Sequence, residues 1–330
     1  MALGNSSYAS QLRQDLCLRN RQYATGRAHV ESYGSQPVIV YAPDGARHGN
    51  FFDAAYAAIC ARPEWMRRLS KIHAQARQSL PRSEAGRRWC ELDSSTSSDA
   101  LLMNVFCTPG VAESARVHHL LGISGDEPPV FGWRARVPLK NSRGDRTEVD
   151  MRWGGLLIEA KLTETDFQTR SAAVVEAYRD FDEIFDRDLL PRAELRTARQ
   201  KEAAEFPEEY SQEWEAADVP DEERIVRAAV AKAHQAAIVA RGVAQQPVEP
   251  GYAGYQLIRN VLAAYANGCS FCVVHDQRRP DLRESWFRVM AAVRLAEMRV
   301  RCKVLTWQEL AALLPEPLQE FLDRKYGIVA

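Results

Sequence analysis

The chain has 330 residues, of which 46% are hydrophobic and 26% charged, with a formal net charge of −1. That composition supports one large or two small globular domains and excludes a mainly disordered chain. It also excludes nucleic-acid binding through sheer positive charge, although arginines are frequent before Arg152 and acids crowd residues 202–223. This asymmetry fits a basic substrate face with an acidic far side, or simply two solvated surfaces.

Residues up to about 35 read as weakly ordered or loosely helical, and 37–41 as a strand. Residues 51–80 read as helix, with Phe52, Ala55, Ile59, Trp65, Leu69 and Ile72 at core spacing, broken by Pro81. The polar run 93–98 offers N-caps for an apolar helix over 100–107, inside which Asn104 stands out. After Pro109-Gly110 a second helix runs to about Leu121 and carries Glu113 in line with Val117, Leu120 and Leu121. A glutamate there is either a site residue or a first-turn acid favoured by the helix dipole. Residues 131–138 make a first core strand, followed by a basic turn over 140–146; Arg134, Arg136, Lys140, Arg143 and Arg146 cluster around it.

The next two runs, 147–153 and 156–162, are rich in β-formers and separated by Gly154-Gly155, the composition of a two-residue hairpin turn. If the glycines are the loop, Trp153 faces Leu156, Asp150 falls opposite Glu159, and Glu148 opposite Lys161. Directly opposed residues have Cβ atoms about 4.5–5.5 Å apart, so two carboxylates there repel unless a cation lies between them. Mg²⁺ suits such a pair, because it takes a few carboxylate oxygens and leaves places for a phosphate oxygen and a water. Glu159 and Lys161 share a strand face, while Leu156, Ile158, Ala160 and Leu162 form the other. The charged face is expected to open to a cleft. Removing one acid, as in Glu159→Gln, is then expected to relieve repulsion in the metal-free protein.

The acid followed by Glu159-Ala160-Lys161 resembles the PD-(D/E)XK nuclease superfamily, with Val149 in place of the proline before the first acid. Lys161 to Glu164 and the Tyr255-Gln256-Leu257-Ile258-Arg259-Asn260 segment are similar to K-x-T-E and YQLxRN segments of bacterial restriction-endonuclease-like proteins. The likeness covers the middle and C-terminal half of the chain. It implies an α/β restriction-endonuclease-like fold, an αβββαβ core with a central mixed sheet and additional helices. It further implies a metal-dependent endonuclease that hydrolyses DNA phosphodiester bonds. Mg²⁺, with Mn²⁺ as a substitute, would be held by Asp150, Glu159 and the Ala160 carbonyl, with Glu113 as a candidate acid from the preceding helix. Lys161 would position or activate the attacking water. DNA is the expected partner, a homodimer is left open, and neither a nucleotide cofactor nor a membrane is expected.

Residues 172–190 read as one helix ended by Pro191, 191–245 as a charged, alanine-rich helical insertion, and 247–254 as a turn-rich connection. Over 255–266 a helix places Gln256, Arg259 and Asn260 on one face, which either holds a DNA phosphate or is merely solvated. Strands at 269–275 and 301–305 follow, and Thr306 with Glu309 forms a capping box. The division is thus a mainly helical region over 1–128 and a nuclease-like core over 129–330. Two rivals remain: a non-catalytic DNA-binding or scaffold protein on the same fold, and an unrelated protein whose Glu148–Lys161 pair is a surface salt bridge on a wet sheet.

Seven scattered cysteines argue for a reducing compartment, and no run is long and apolar enough for a membrane span, so a cytoplasmic protein is expected. Cys269 and Cys272 are three apart in a strand, which sends them to opposite faces rather than to one metal. His275-Asp276 reads as a polar strand end, and His118-His119 as residues on different helix faces. No P-loop, GxGxxG or GxSxG pattern occurs.

Overall fold

The computed structural model describes residues 7–32, 37–71, 89–125, 127–195 and 249–330. Helix α1 (Tyr8–Tyr23) starts behind Ser7, whose hydroxyl accepts the Ser10 N–H. Two short hairpins follow, β1 (His29–Glu31) with β2 (Ile39–Tyr41) and β3 (Pro43–Asp44) with β4 (Arg47–His48). Helices α2 (Asp53–Ala61) and α3 (Pro63–Met66) are separated at Arg62, whose extended backbone is what a residue before proline adopts. The expected single helix over 51–80 is therefore two helices, and its part beyond residue 71 lies outside the described residues. Ser97 caps α4 (Ser98–Phe106), and Ser114 caps α5 (Ala115–Leu121). Buried Asn104 ties α4 to residues 50–52 through Phe52 N–H and Asn50 C=O.

The central sheet is built from β5 (Val130–Arg134), then, past the small hairpin of β6 (Val137–Pro138) and β7 (Gly144–Asp145), from β8 (Glu148–Trp153) and β9 (Leu156–Ala160). Gly154 takes φ 53°, as a tight turn between β8 and β9 demands, and the pairs Trp153↔Leu156 and Met151↔Ile158 set the register read from the sequence. A smaller sheet joins β10 (Thr169–Ser171), β11 (Arg192–Leu195) and β12 (Glu249–Ala253) in the order β10-β12-β11. Between them lie α6 (Ala172–Val175) and α7 (Phe181–Ile184).

This corrects three expectations. The helix over 172–190 breaks after Val175, where Tyr178 turns inward to bridge Leu139 and donate its hydroxyl to Asp145. Residues 249–253 are strand rather than turn, because Tyr252 buries its ring and pairs with Arg170 and Arg192. The insertion begins as strand β11, and its remainder over 196–245 lies outside the described residues. The region 1–128 likewise carries two hairpins beside its helices.

Helix α8 (Tyr255–Ala266) leads into β13 (Ser270–His275), and α9 (Pro280–Ala291) and α10 (Ala296–Arg301) into β14 (Cys302–Thr306). Thr306 and Glu309 form the capping box of α11 (Trp307–Ala311), and α12 (Glu316–Tyr326) closes the chain against α1. The five-stranded sheet runs β14-β13-β9-β8-β5, parallel across β14-β13-β9 and antiparallel across β9-β8-β5. Along the chain the antiparallel strands β5, β8 and β9 come after α5, and beyond the smaller sheet α8 precedes the parallel strand β13.

Both faces of the sheet are covered. Leu157, Phe271 and Val273 pack with Leu257, Ile258 and Val261 of α8, while Met151, Trp153, Leu156, Ile158, Ala160 and Leu162 pack with α4, α11 and α12. Cys269 and Cys272 fall into these opposite layers, as their spacing requires. The apolar face of β9 is as expected, but the charged face does not open freely, because α8 lies over it. Among the described residues no helix is long and apolar enough to cross a membrane.

Candidate active site

Strands β5 and β8 keep one register throughout, with Phe131↔Met151 on one side of Asp150 and Trp133↔Val149 on the other, so Gly132 lies across from Asp150. Gly132 has φ 64°, a conformation that L side chains rarely adopt, and the Arg68 guanidinium and Glu148 carboxylate fill the space a side chain there would need. The ribbon bends at this point. Phe131 and Met151 lie in the layer under α4 and α12, whereas Trp133 and Val149 have crossed to the layer under α8.

The bend takes Asp150 out of the strand ladder. Its Oδ2 accepts the Ala160 N–H at 2.8 Å, where a backbone carbonyl would otherwise sit. The β8-β9 ladder ends at Met151↔Ile158, and past it the Asp150 and Glu159 carboxylates lie close enough for their charges to oppose each other. Lys161 Nζ donates to Glu159 Oε1 at 2.9 Å, and Asn260 Nδ2 of α8 donates to Oε2 at 2.8 Å. Glu159 and Lys161 are each only 4% exposed, which removes the wet-sheet alternative. Its proposed pair is absent too, since Glu148 binds Arg68 at 3.0 Å instead of Lys161.

The electrostatics follow from this crowding. Burial, then the charges of Glu159 and Asp99, pushes the Asp150 carboxyl well above the usual carboxylate range, and Lys161 and the Ala160 N–H only partly offset this. Burial works against the Lys161 charge, but Glu159, Glu164 and Asp150 outweigh it and raise its pKa above that of an ordinary lysine. Behind Asp150 lies a second group of charges that sequence reasoning missed. Asp99 in the first turn of α4 is 3% exposed and meets Arg68 at 2.8 Å and Lys71 at 3.0 Å. Burial would raise the Asp99 carboxyl, yet Lys71 and Arg68 prevail and lower it. Glu91, 3.0 Å from Lys71, is pushed up to about 7 by burial and by Asp99. The signal for Asp99 was present in the Ser-rich run, where its position reads equally well as helix capping.

Two candidate residues are placed elsewhere. Glu113 is exposed in the turn before α5, outside the helix, and its Oε2 accepts the Gly110 N–H at 2.9 Å. No hydrogen bond or ion pair among the described residues brings it to Asp150 or Glu159; the helix acid whose charge acts on Asp150 is Asp99 of α4. Arg259 is 2% exposed and does not face outward to a phosphate. It pairs with Asp145 Oδ2 at 3.0 Å, donates to the Thr147 and Glu148 carbonyls, and donates to Asn260 Oδ1 at 2.7 Å. Arg259 thereby orients the amide that holds Glu159. Gln256, one turn earlier, has its side-chain oxygen buried without a partner among the described residues. Only Asn260 of the three touches the acid pair. His275 is buried, with Nδ1 on the Asp276 carbonyl, and Asp276 pairs with Arg278.

Among the described residues, no three His, Cys, Asp or Glu side chains converge as a ready-made metal cluster. What the bend and the hairpin assemble is an acid, a second acid and a lysine at the junction of antiparallel and parallel strands in a mixed sheet. The class this defines is a mixed α/β protein built around a central five-stranded sheet. The chain matches the family described as Restriction Endonuclease associating with ARP over residues 18–327, and it belongs to that family. No curated protein and no solved structure matches it.

Proposed function

We propose that this chain is a divalent-metal-dependent endonuclease of the PD-(D/E)XK type that hydrolyses DNA phosphodiester bonds. One observation carries the reading: Glu159 and Lys161 form an ion pair at 4% exposure each, beside an Asp150 whose charge its neighbours oppose. Burying charges costs several kcal/mol per ion by order of magnitude, roughly more than the pair returns. A scaffold gains nothing from that arrangement, whereas a site that must receive a cation and a phosphate does.

The donor set fits a hard cation. Carboxylate oxygens offer spare lone pairs even where Glu159 already accepts from Lys161 and Asn260. The Ala160 carbonyl leaves the strand on the same edge as its N–H, the edge facing Asp150. Asp150, Glu159 and that carbonyl would hold Mg²⁺ or Mn²⁺, which when bound supplies an activated water and neutralises the scissile phosphate. Asn260, itself held by Arg259, keeps the Glu159 carboxylate oriented. Lys161, protonated by its surroundings, orients the attacking water and offsets charge building on the phosphate.

Incubation with supercoiled DNA in Mg²⁺, in Mn²⁺ and in EDTA tests this. Nicking or linearisation is expected with either metal and none in EDTA. Lys161→Met should lower the rate on the order of 10²-fold or more while calorimetry still detects metal binding. DNA bound but never cut would favour the scaffold alternative, and wild-type cleavage by Lys161→Met would remove the lysine from the mechanism.

A further inference from the structure

The register that places Gly132 across from Asp150 does not stop at β5 and β8. Val130↔Arg152, Trp133↔Val149, Arg134↔Glu148, Val137↔Asp145 and Pro138↔Gly144 all belong to one pairing, interrupted at Gly132 and Asp150 and again at residues 135–136 and 146–147. Strands β5-β6 and β7-β8 are therefore a single long ribbon that runs past the sheet. At the interruption, the Arg259 guanidinium takes the Thr147 and Glu148 carbonyls. Its inner side is buried at Ala135 and Val137.

The outer side carries arginines. Arg134, Arg136 and Arg146 are exposed, and none of them makes a side-chain hydrogen bond or ion pair among the described residues. Arg136 and Arg146 both lie at the interruption, between the rungs Arg134↔Glu148 and Val137↔Asp145, so positive charge gathers on this one short stretch of the ribbon. Most other arginines of the sheet region are paired, as Arg68 is with Asp99 and Arg259 with Asp145. A group of exposed arginines left without acidic partners on a fixed element is explained by a polyanion that lies across it.

We propose that the outer face of this ribbon binds the phosphate backbone of duplex DNA and leads it to Asp150; the inference rests on the nuclease reading above. Arg146 is four residues from Asp150 on one strand, about 13 Å at strand rise, which spans about four nucleotide steps of a duplex. The ribbon is fastened at its tip. Leu139 bridges Tyr178, Lys140 pairs with Asp182 at 3.4 Å, and Asp145 accepts from Tyr178 and Arg259. It therefore lies along the duplex as a fixed rail rather than entering a groove, and its contacts carry no sequence information.

The test uses the full chain and a fluorescent random-sequence DNA duplex in Ca²⁺, which supports binding without requiring turnover, with affinity measured against salt. Arg134→Gln/Arg136→Gln/Arg146→Gln should bind all sequences more weakly and flatten the logarithmic salt dependence by about 1 per arginine, roughly 3 in total. Its unfolding temperature should not fall, because none of the three side chains makes a hydrogen bond or ion pair among the described residues; if it does, Arg136→Gln/Arg146→Gln alone is read, with a flattening of about 2. A variant with wild-type affinity and salt dependence overturns the rail while leaving the nuclease reading intact. Failure of the wild-type chain to bind duplex DNA, or tighter binding to an RNA duplex, also overturns it. Metal-dependent cleavage by the wild type is scored separately and judges the nuclease reading alone.

Discussion

Two buried lysines in this molecule are treated in opposite ways. Lys161, at 4% exposure, has Glu159 at 2.9 Å and feels Glu164 and Asp150, so its ammonium is held charged. Lys325 in the last turn of α12 is wholly buried, donates to Asn20 Oδ1 at 2.7 Å, and lies 4.2 Å from the Tyr41 ring centre, with the Tyr23 and Tyr326 rings beside it. No carboxylate pairs with it among the described residues. Burial, reinforced by Arg27, sets its pKa well below that of an ordinary lysine. The rings favour the cation by an amount on the order of 1–2 kcal/mol when desolvated, too little to replace lost hydration. Burial alone thus does not decide whether a lysine carries charge; the partner does. The Lys325 amine fastens the last helix to the first, through an Asn20 that also accepts from Tyr41 and donates to the Leu16 and Lys325 carbonyls. The Lys161 ammonium holds the buried Glu159 carboxylate, a pair that costs more to bury than it returns.

The largest effect that could break this comparison is on stability. Lys161→Met leaves the Glu159 carboxylate buried with only Asn260, and should cost about 3–5 kcal/mol in the metal-free protein. Lys325→Met removes a buried amine that has no counter-charge, leaves Asn20 Oδ1 with Tyr41, and should be neutral or stabilising by about 1–2 kcal/mol. Urea unfolding of both variants in EDTA measures the difference; equal costs would mean that the two sites do not differ as described. The acid side sharpens it. Glu159→Gln, which the bare hairpin register suggests as a relief of repulsion, instead strands the Lys161 ammonium and should destabilise. The double variant Lys161→Met/Glu159→Gln should recover most of the loss.

Next in size is the dependence on pH. The folded pKa of Lys325 lies below its unfolded value of about 10.4, so between the two the unfolded chain holds the extra proton. Stability from this group therefore rises with pH across that window, by at most about 1.4 kcal/mol per unit. Lys161 is the reverse. Its folded pKa is raised, so its contribution is fully present below about 10.4 and is lost as pH climbs through the folded value. Lys325→Met should abolish the rise that ends at about 10.4 and leave the alkaline fall, and Lys161→Met should do the opposite. Unfolding midpoints of the two variants against pH would show it. A wild-type slope retained in Lys325→Met would overturn the assignment of a neutral amine.

How far the site was legible follows from the range of the forces involved. The Gly154-Gly155 turn, the period-two apolar face of β9 and the capping box at Thr306 are local, and the structure has them where the sequence puts them. The same holds for α8, whose bounds at Tyr255 and Ala266 coincide with the reading. What was not legible is long-range. Arg68, Lys71 and Asp99 reach Asp150 only through folding of α3 and α4 onto the sheet, and nothing in their local spacing announces it. Arg259 shares a helix face with Asn260, which the spacing shows, but whether that face meets solvent or a strand root depends on Asp145 and Thr147, more than a hundred residues earlier. Glu113 misled because a helix-start acid and a site acid have the same sequence signature. Tyr178 broke a helix that propensity would have continued, since its hydroxyl has Asp145 and Tyr255 to meet.

The smallest effect concerns Asp150, and its sign is the informative part. An acid whose folded pKa is raised above the unfolded value of about 3.9 binds its proton more tightly in the folded state. Stability then falls as pH rises through the window between the two values, and at pH above that window the metal-free protein carries the whole cost. Asp150→Asn keeps a carbonyl oxygen for the Ala160 N–H and removes the charge that Glu159 and Asp99 oppose. In EDTA it should raise stability by about 0.5–2 kcal/mol, the usual gain from relieving a functional site, while cleavage is lost. Adding Mg²⁺ should narrow the gap, because a cation that binds only the wild-type folded state stabilises it through linkage. Thermal unfolding of wild type and Asp150→Asn, each with EDTA and with Mg²⁺, gives all four values. A variant less stable than wild type in EDTA would mean that Asp150 is retained for its hydrogen bond to Ala160, and the contrast between a lysine kept for chemistry and one kept for packing would lose its third witness.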